Sequence, residues 1–363
     1  MSDRSAGNDV ASLSRHGYQL LKSGEYEQSI ERFEEALELE PENCYALVGL
    51  GDIARKQGRP KDAVAFYHTC LEHDPQNAFA LFGLADSYRA LRKHQDALKV
   101  WERYLEHDDR NVAVLTRVAD AYRKVREKRK SEEMYRRVLG IEEENPYALI
   151  GLGHLHYDFR EYEQALECWL RMYKLRGRGV DIRVLTSIGN SYRKLKQFDE
   201  AIPYFTRALE REPDNFYALF GLADCHRGLN EPQPSLRYWN RILEHDPQNK
   251  VILTRAGDAY RSMGELEEAE RCYRKALDIG DDLYAALGLA IVSRTRGEYA
   301  DSISLLEELR REHADIYRVF AELAATYAQS GRPGDAVEVL SSYPAQGTEG
   351  AHVRQLIERY RQR

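Results

Sequence analysis

The chain has 363 residues, enough for two or three domains or one elongated array. Lys and Arg number 53 against 60 Asp and Glu, and the net charge of −7 argues against a nucleic-acid partner, which needs a basic surface, though not against a local basic patch. The five cysteines (Cys44, Cys70, Cys168, Cys225, Cys272) are odd in number and dispersed, as expected of reduced thiols rather than a disulfide framework.

The first residues, MSDRSAGNDVASLSRHG, hold no apolar stretch of the kind a secretory signal needs. No apolar run approaches the ~18 residues of a membrane span. A soluble, cytoplasmic chain without membrane insertion is expected. Residues 1–9 are expected to be disordered. From residue 10 the chain repeats itself. Small residues recur at Gly17, Gly51, Ala85, Ala119, Gly153, Gly189, Ala223, Gly257, Ala290 and Ala324. Most steps are 34 residues, with 36 after Gly153 and 33 after Gly257. Ten repeats follow, starting near residues 10, 44, 78, 112, 146, 182, 216, 250, 283 and 317.

Taking those small residues as position 8, position 20 is Ala or Ser in every repeat, from Ser29 and Ala63 to Ser302 and Ala336. Position 24 is always large: Phe33, Tyr67, Trp101, Tyr135, Trp169, Phe205, Trp239, Tyr273, Leu306 and Leu340. The pattern predicts two helices per repeat. Small residues let the backbones approach, and the large residue fills the space beside them. Pro41, Pro75, Pro213 and Pro247 stop second helices, and Asn43, Asn77, Asn215 and Asn249, two places on, suit N-caps for the next. Pro60 and Pro333 suit the first turn of a second helix, whereas Pro203 lies about a turn in and fits less well. The excess of two residues in LRGRGVD, residues 175–181, is either a tolerated loop insertion or a hinge around Gly177 and Gly179. Beyond repeat 10, residues 349–363 place Val353, Leu356, Ile357 and Tyr360 at helical spacing, as a capping helix would.

These positions resemble the tetratricopeptide repeat family over roughly residues 10–348. The resemblance implies an all-α, right-handed α-solenoid superhelix of helix-turn-helix repeats. It also implies a concave groove lined by the first helices, and binding of protein or peptide rather than catalysis. Repeat 9 departs from the pattern, with Ser293 where an aromatic is usual, and repeat 10 decays into SSYPAQGTEG. A second period lies over the first. Repeats 3, 5, 7 and 9 carry ALFGLAD, ALIGLGH, ALFGLAD and AALGLAI, while repeats 4, 6 and 8 carry VLTRVAD, VLTSIGN and ILTRAGD. Duplication of a two-repeat segment explains this, as does a groove with a feature at every second repeat.

In the family, positions 2, 5, 9 and 12 face the groove. Position 9 here holds Asp52, Asp86, Asp120, His154, Asn190, Asp224, Asp258 and Ile291. Position 12 holds Arg55, Arg89, Arg123, Tyr157, Arg193, Arg227, Arg261 and Arg294. Residues three apart share a helix face, so a carboxylate row should run beside a guanidinium row. The rows either neutralise each other or engage a ligand's backbone and carboxylates. Position 2 gives Tyr45, Phe79, Tyr147, Tyr217 and Tyr284, and position 5 gives Phe82 and Phe220, with Thr in the alternate flavour. Such aromatics are binding anchors or inter-repeat packing. The family's carboxylate clamp is only partly matched, with Asn190 the lone amide, so a mixed-charge or basic extended segment is the expected ligand.

No phosphate-binding loop, metal set or catalytic constellation is apparent, and no cofactor or enzymatic activity is expected. His154 and His156 point apart on a helix, and His73, His107 and His245 mark repeat ends in LEHD. The function expected is a protein-interaction scaffold or adaptor. The alternative is a self-assembling structural protein or an assembly chaperone using end or convex faces, with homo-oligomers as its product.

Overall fold

The structure, a computed structural model, describes residues 3–344 and 347–362. The chain forms two compact units, Met1–Val180 and Asp181–Arg363. The boundary directly follows the short 3-10 turn Gly177–Gly179, where the repeat spacing slips.

Among the described residues the secondary structure is helical throughout. The N-terminal unit holds α1 (Asp3–Ser23), α2 (Tyr26–Leu39), α3 (Cys44–Lys56), α4 (Pro60–His73), α5 (Ala78–Ala90), α6 (His94–Leu105), α7 (Val112–Lys124), α8 (Lys128–Ile141), α9 (Pro146–Asp158) and α10 (Tyr162–Arg176). The C-terminal unit holds α11 (Ile182–Lys194), α12 (Phe198–Arg211), α13 (Phe216–Gly228), α14 (Pro232–His245), α15 (Lys250–Met263), α16 (Leu266–Ile279), α17 (Leu283–Arg296), α18 (Tyr299–Glu312), α19 (Tyr317–Gln329), α20 (Pro333–Ser342) and α21 (Gly347–Arg361). Odd-numbered helices up to α19 are first helices and even-numbered ones are second helices. Within each unit every helix packs on the next in chain order, the arrangement of an α-solenoid.

The predicted local chemistry builds these pairs. Asn43, Asn77, Asn215 and Asn249 each accept the backbone N–H three residues on, at 3.0–3.2 Å, and Asn111 and Asn145 do the same without a preceding Pro. Positions 8 and 20 touch. Ser29, Ser131, Ser235 and Ser302 donate to the carbonyls of Gly17, Ala119, Ala223 and Ala290 at 2.7–2.8 Å. The aromatic residues at position 24 are essentially buried in every case, Trp101, Trp169 and Trp239 among them. Pro203 sits inside α12 without ending it. First helices close on a residue in the left-handed region: Gly264 and Gly297 in repeats 8 and 9, but Arg92, Arg126, Arg160 and Lys196 in repeats 3–6. A cation beside a helix C-terminus offsets part of that strain.

Helix α1 already begins at Asp3, because a helix nucleated by the repeat extends at little cost and Val10 is buried against Leu21 and Phe33. Met1 and Ser2, within the segment expected to be disordered, lie outside the described residues. At the other end α21 begins at Gly347, just before residue 349, and Arg363 lies outside the described residues. Val353 is buried, with Leu356, Ile357 and Tyr360 packed against the same cluster as Val339 and Leu340.

Candidate protein-binding faces of the first helices

The alternation of flavours has a packing cause. A Cβ on Gly83, Gly151, Gly221 or Gly288 would lie 2.2–2.4 Å from the ring of Tyr67, Tyr135, Phe205 or Tyr273 in the repeat before. Glycine at position 6 thus lets a first helix lie directly on the preceding aromatic. There α3 meets α5, α7 meets α9, α11 meets α13 and α15 meets α17. At the alternate steps within a unit, α5 to α7 and α13 to α15, position 24 is Trp101 or Trp239 and position 6 is Arg117 or Arg255.

The polar rows follow the same alternation. In repeats 2, 4 and 8 the position 24 hydroxyl donates to the carboxylate at position 9: Tyr67 to Asp52 at 2.7 Å, Tyr135 to Asp120 at 2.7 Å and Tyr273 to Asp258 at 2.9 Å. Burial, reinforced by those carboxylates, pushes the three phenols well above their ordinary range. The Trp repeats have no such hydroxyl, and the indole N–H groups of Trp101, Trp169 and Trp239 are buried without a partner among the described residues. In the Trp101 and Trp239 repeats the position 9 carboxylates, Asp86 and Asp224, are left for arginines.

In the N-terminal unit Asp86 is the centre. Arg55 reaches it from the repeat before at 3.1 Å, Arg117 from the repeat after at 2.7 Å, and Arg89 from its own helix at 3.3 Å. Its carboxylate is 6% exposed. Arg55 also holds Asp52 at 3.0 Å. In the next pair Arg123 bridges forward to Asp158 at 2.6 Å while lying 3.5 Å from Asp120. His154 occupies position 9 there, edge-on to Trp169 at 5.5 Å. Burial, then the charge of Arg123, holds its imidazole below the ordinary range, so it is neutral near pH 7.

The C-terminal unit repeats the scheme. Arg193 bridges forward to Asp224 at 2.5 Å and also donates to Asn190 at 3.1 Å. Arg227 holds Asp224 from its own helix at 2.7 Å. Burial works to raise the Asp224 carboxyl, but the hydrogen bonds and charges of Arg227 and Arg193 outweigh it and leave the group below its usual range. Arg261 contacts Asp258 at 3.5 Å, and Arg294 holds Glu322 at 2.8 Å.

The aromatics separate into two sets. Tyr45, Phe79, Tyr147, Tyr217 and Tyr284, all at position 2, are 60–76% exposed. Phe82 and Phe220 are half-buried instead. Arg117 lies 4.8 Å over the Phe82 ring, and Phe220 packs edge-on to Trp239 at 5.2 Å with Arg193 above it at 5.9 Å. Sequence reasoning named the rows but missed Arg117, Asp158 and Glu322. The Arg of VLTRVAD and ILTRAGD was the available signal for the first.

Among the described residues no group of His, Cys, Asp or Glu could hold a metal ion, and no helix is long and apolar enough to cross a membrane.

Four family models described as Tetratricopeptide repeat match the chain, over residues 15–78, 54–121 and 294–360, 182–215, and 252–279. Together they span well over half of it. No curated protein matches the sequence significantly. Among solved structures, a MamA protein is 24% identical with a TM-score of 0.44, covering 48% of this chain and 94% of that one. PilF of Pseudomonas aeruginosa is 18% identical with a TM-score of 0.49, over 59% and 96%. YrrB, described as a TPR protein with an unusual peptide-binding site, is 18% identical with a TM-score of 0.45, over 52% and 95%.

Proposed function

From the premise that the chain belongs to the tetratricopeptide repeat family, we propose that it is a non-enzymatic interaction scaffold. The inner faces of its first helices bind an extended, mixed-charge segment of a partner protein. The observation that carries this reading is the register of exposed aromatics at position 2, with Phe79, Tyr147 and Tyr217 each at least two-thirds exposed. Rigid aromatic side chains left in solvent, at one helical position in five repeats, are suited to anchoring a ligand.

The polar ladder behind them sets the partner's charge. Its carboxylates are already held by guanidinium and hydroxyl groups. Arg89 and Arg227, by contrast, are about half exposed. A purely basic segment therefore fits less well than one that also brings carboxylates. Asp86, Asp224 and their arginines shape the face and fix the positions of the exposed donors.

The test is a paired capture from the source organism's lysate, read by mass spectrometry. One bait is wild type and the other carries Phe79→Ala, Tyr147→Ala and Tyr217→Ala, changes at exposed side chains that should leave helicity intact. Partners lost with the variant support inner-face binding. The same partners with both baits, or further copies of the chain itself, move the function to convex or end faces and to self-assembly.

A further inference from the structure

The guanidinium–carboxylate ladder breaks in the C-terminal unit. Arg261 lies 3.5 Å from Asp258, but the position it would bridge to in the next repeat is Ile291, which is buried. Arg255 is the counterpart of Arg117 and would reach back to Asp224. That carboxylate is already held by Arg193 and Arg227. Half-buried Arg255 does not reach it and has no carboxylate partner among the described residues. Arg318, at the start of α19, has none either, and its guanidinium lies 6.0 Å over the ring of Tyr284.

Both guanidiniums line one cleft of about 430 Å³, with Val251, Thr254, Tyr284 and Ile291 on its walls. Two acids border it, and both are engaged. Asp282 caps α17 by accepting the N–H groups of Tyr284 and Ala285, and Asp258 accepts from Tyr273. The cleft thus offers two cations without carboxylate partners beside an apolar floor at Ile291, where each of repeats 2 to 8 has a polar side chain. A guanidinium taken partly out of water is best satisfied by a carboxylate, which it can grip through two N–H groups.

We propose that this cleft binds an internal Asp or Glu of a partner segment together with a neighbouring large aliphatic or aromatic side chain. Arg255 and Arg318 take the carboxylate, and Tyr284, Val251 and Ile291 take the apolar group. The inner face continues on both sides of the cleft, to Tyr217 and Asp224 on α13 and to Glu322 on α19. A segment therefore passes through it rather than ending there. The inference rests on the inner-face reading of the preceding subsection and narrows it to one ligand chemistry.

The test is selection of random twelve-residue peptides on the full-length chain from a phage library whose inserts have no free C-terminus. A second library displays free C-termini. The expected result is enrichment, in the first library, of an acidic residue beside a large apolar one. Arg255→Ala or Arg318→Ala should then weaken a selected synthetic, C-terminally amidated peptide by about tenfold or more, as should Glu→Gln in that peptide. Arg255→Lys should recover part of the loss. Enrichment confined to free C-termini, or peptides insensitive to both arginines, overturns the proposal. Peptides that depend on Phe79 and Tyr147 instead overturn it while leaving the inner-face reading intact. No enrichment in either library overturns both.

Discussion

At Asp86 three guanidiniums from three consecutive repeats converge on one carboxylate. Removing it leaves their charges facing one another in a half-buried site. Asp86→Ala should cost about 2 kcal/mol, less than the 3–5 typical of fully buried pairs because the arginines are partly solvated. Asp120→Ala, at a carboxylate half in solvent, should cost distinctly less. Urea unfolding checks both. The buried phenols make a second prediction. Tyr67, Tyr135 and Tyr273 hold their protons more tightly when folded, so the unfolded chain ionises first as pH rises. Stability from this source is complete below pH ~10 and lost above it. Replacing all three with Phe should lower stability at pH 7 and flatten the alkaline decline, measured by urea midpoints from pH 7 to 11. The pairing of Asp52 with Arg55 within one helix was legible from spacing. The Arg55–Asp86 bridge was not, because it spans 31 residues and exists only once two helices stack.

At the scale of helices, the alternation visible in ALFGLAD and VLTRVAD is a rule about how near first helices lie. Glycine at position 6 follows a Tyr or Phe at position 24 of the preceding repeat, and Arg or Ser follows a Trp. The period could be read from sequence, but its cause could not, since the two positions belong to different repeats and meet through packing. Gly83→Ala tests it directly. The added methyl would sit 2.2 Å from the Tyr67 ring, so the substitution should destabilise by roughly 1–3 kcal/mol. Gly140→Ala, on the open face of α8, should instead stabilise by about 0.5–1 kcal/mol. Thermal unfolding of the pair separates overpacking from helix propensity. The same blindness to inter-repeat packing explains the aromatics. The sequence left every such aromatic as either anchor or packing, whereas in the structure Phe82 and Phe220 are half-buried under arginines and the position 2 rings stand in solvent.

For the whole molecule, recurrence at 34 residues made the helix pairs, their caps and the ten repeats legible, because each position repeats a packing solution many times over. Linear stacking also limits how far a perturbation travels. Asp86→Ala should raise amide exchange in α3 to α8 and leave α17 and α18 at wild-type rates, as hydrogen-exchange mass spectrometry would show. Uniform acceleration along the chain would contradict nearest-neighbour stacking.

The central claim is that partners bind the inner faces of the first helices. Site-directed photo-crosslinking in the native cell tests it most directly, with a photoreactive phenylalanine placed in turn at Phe79, Tyr147 and Tyr217, and at the exposed second-helix positions Lys99 and Glu210. The account predicts discrete partner adducts from the first three positions and none from the last two. Adducts from Lys99 and Glu210, with none from the aromatic positions, would contradict it and assign the binding to the outer helices.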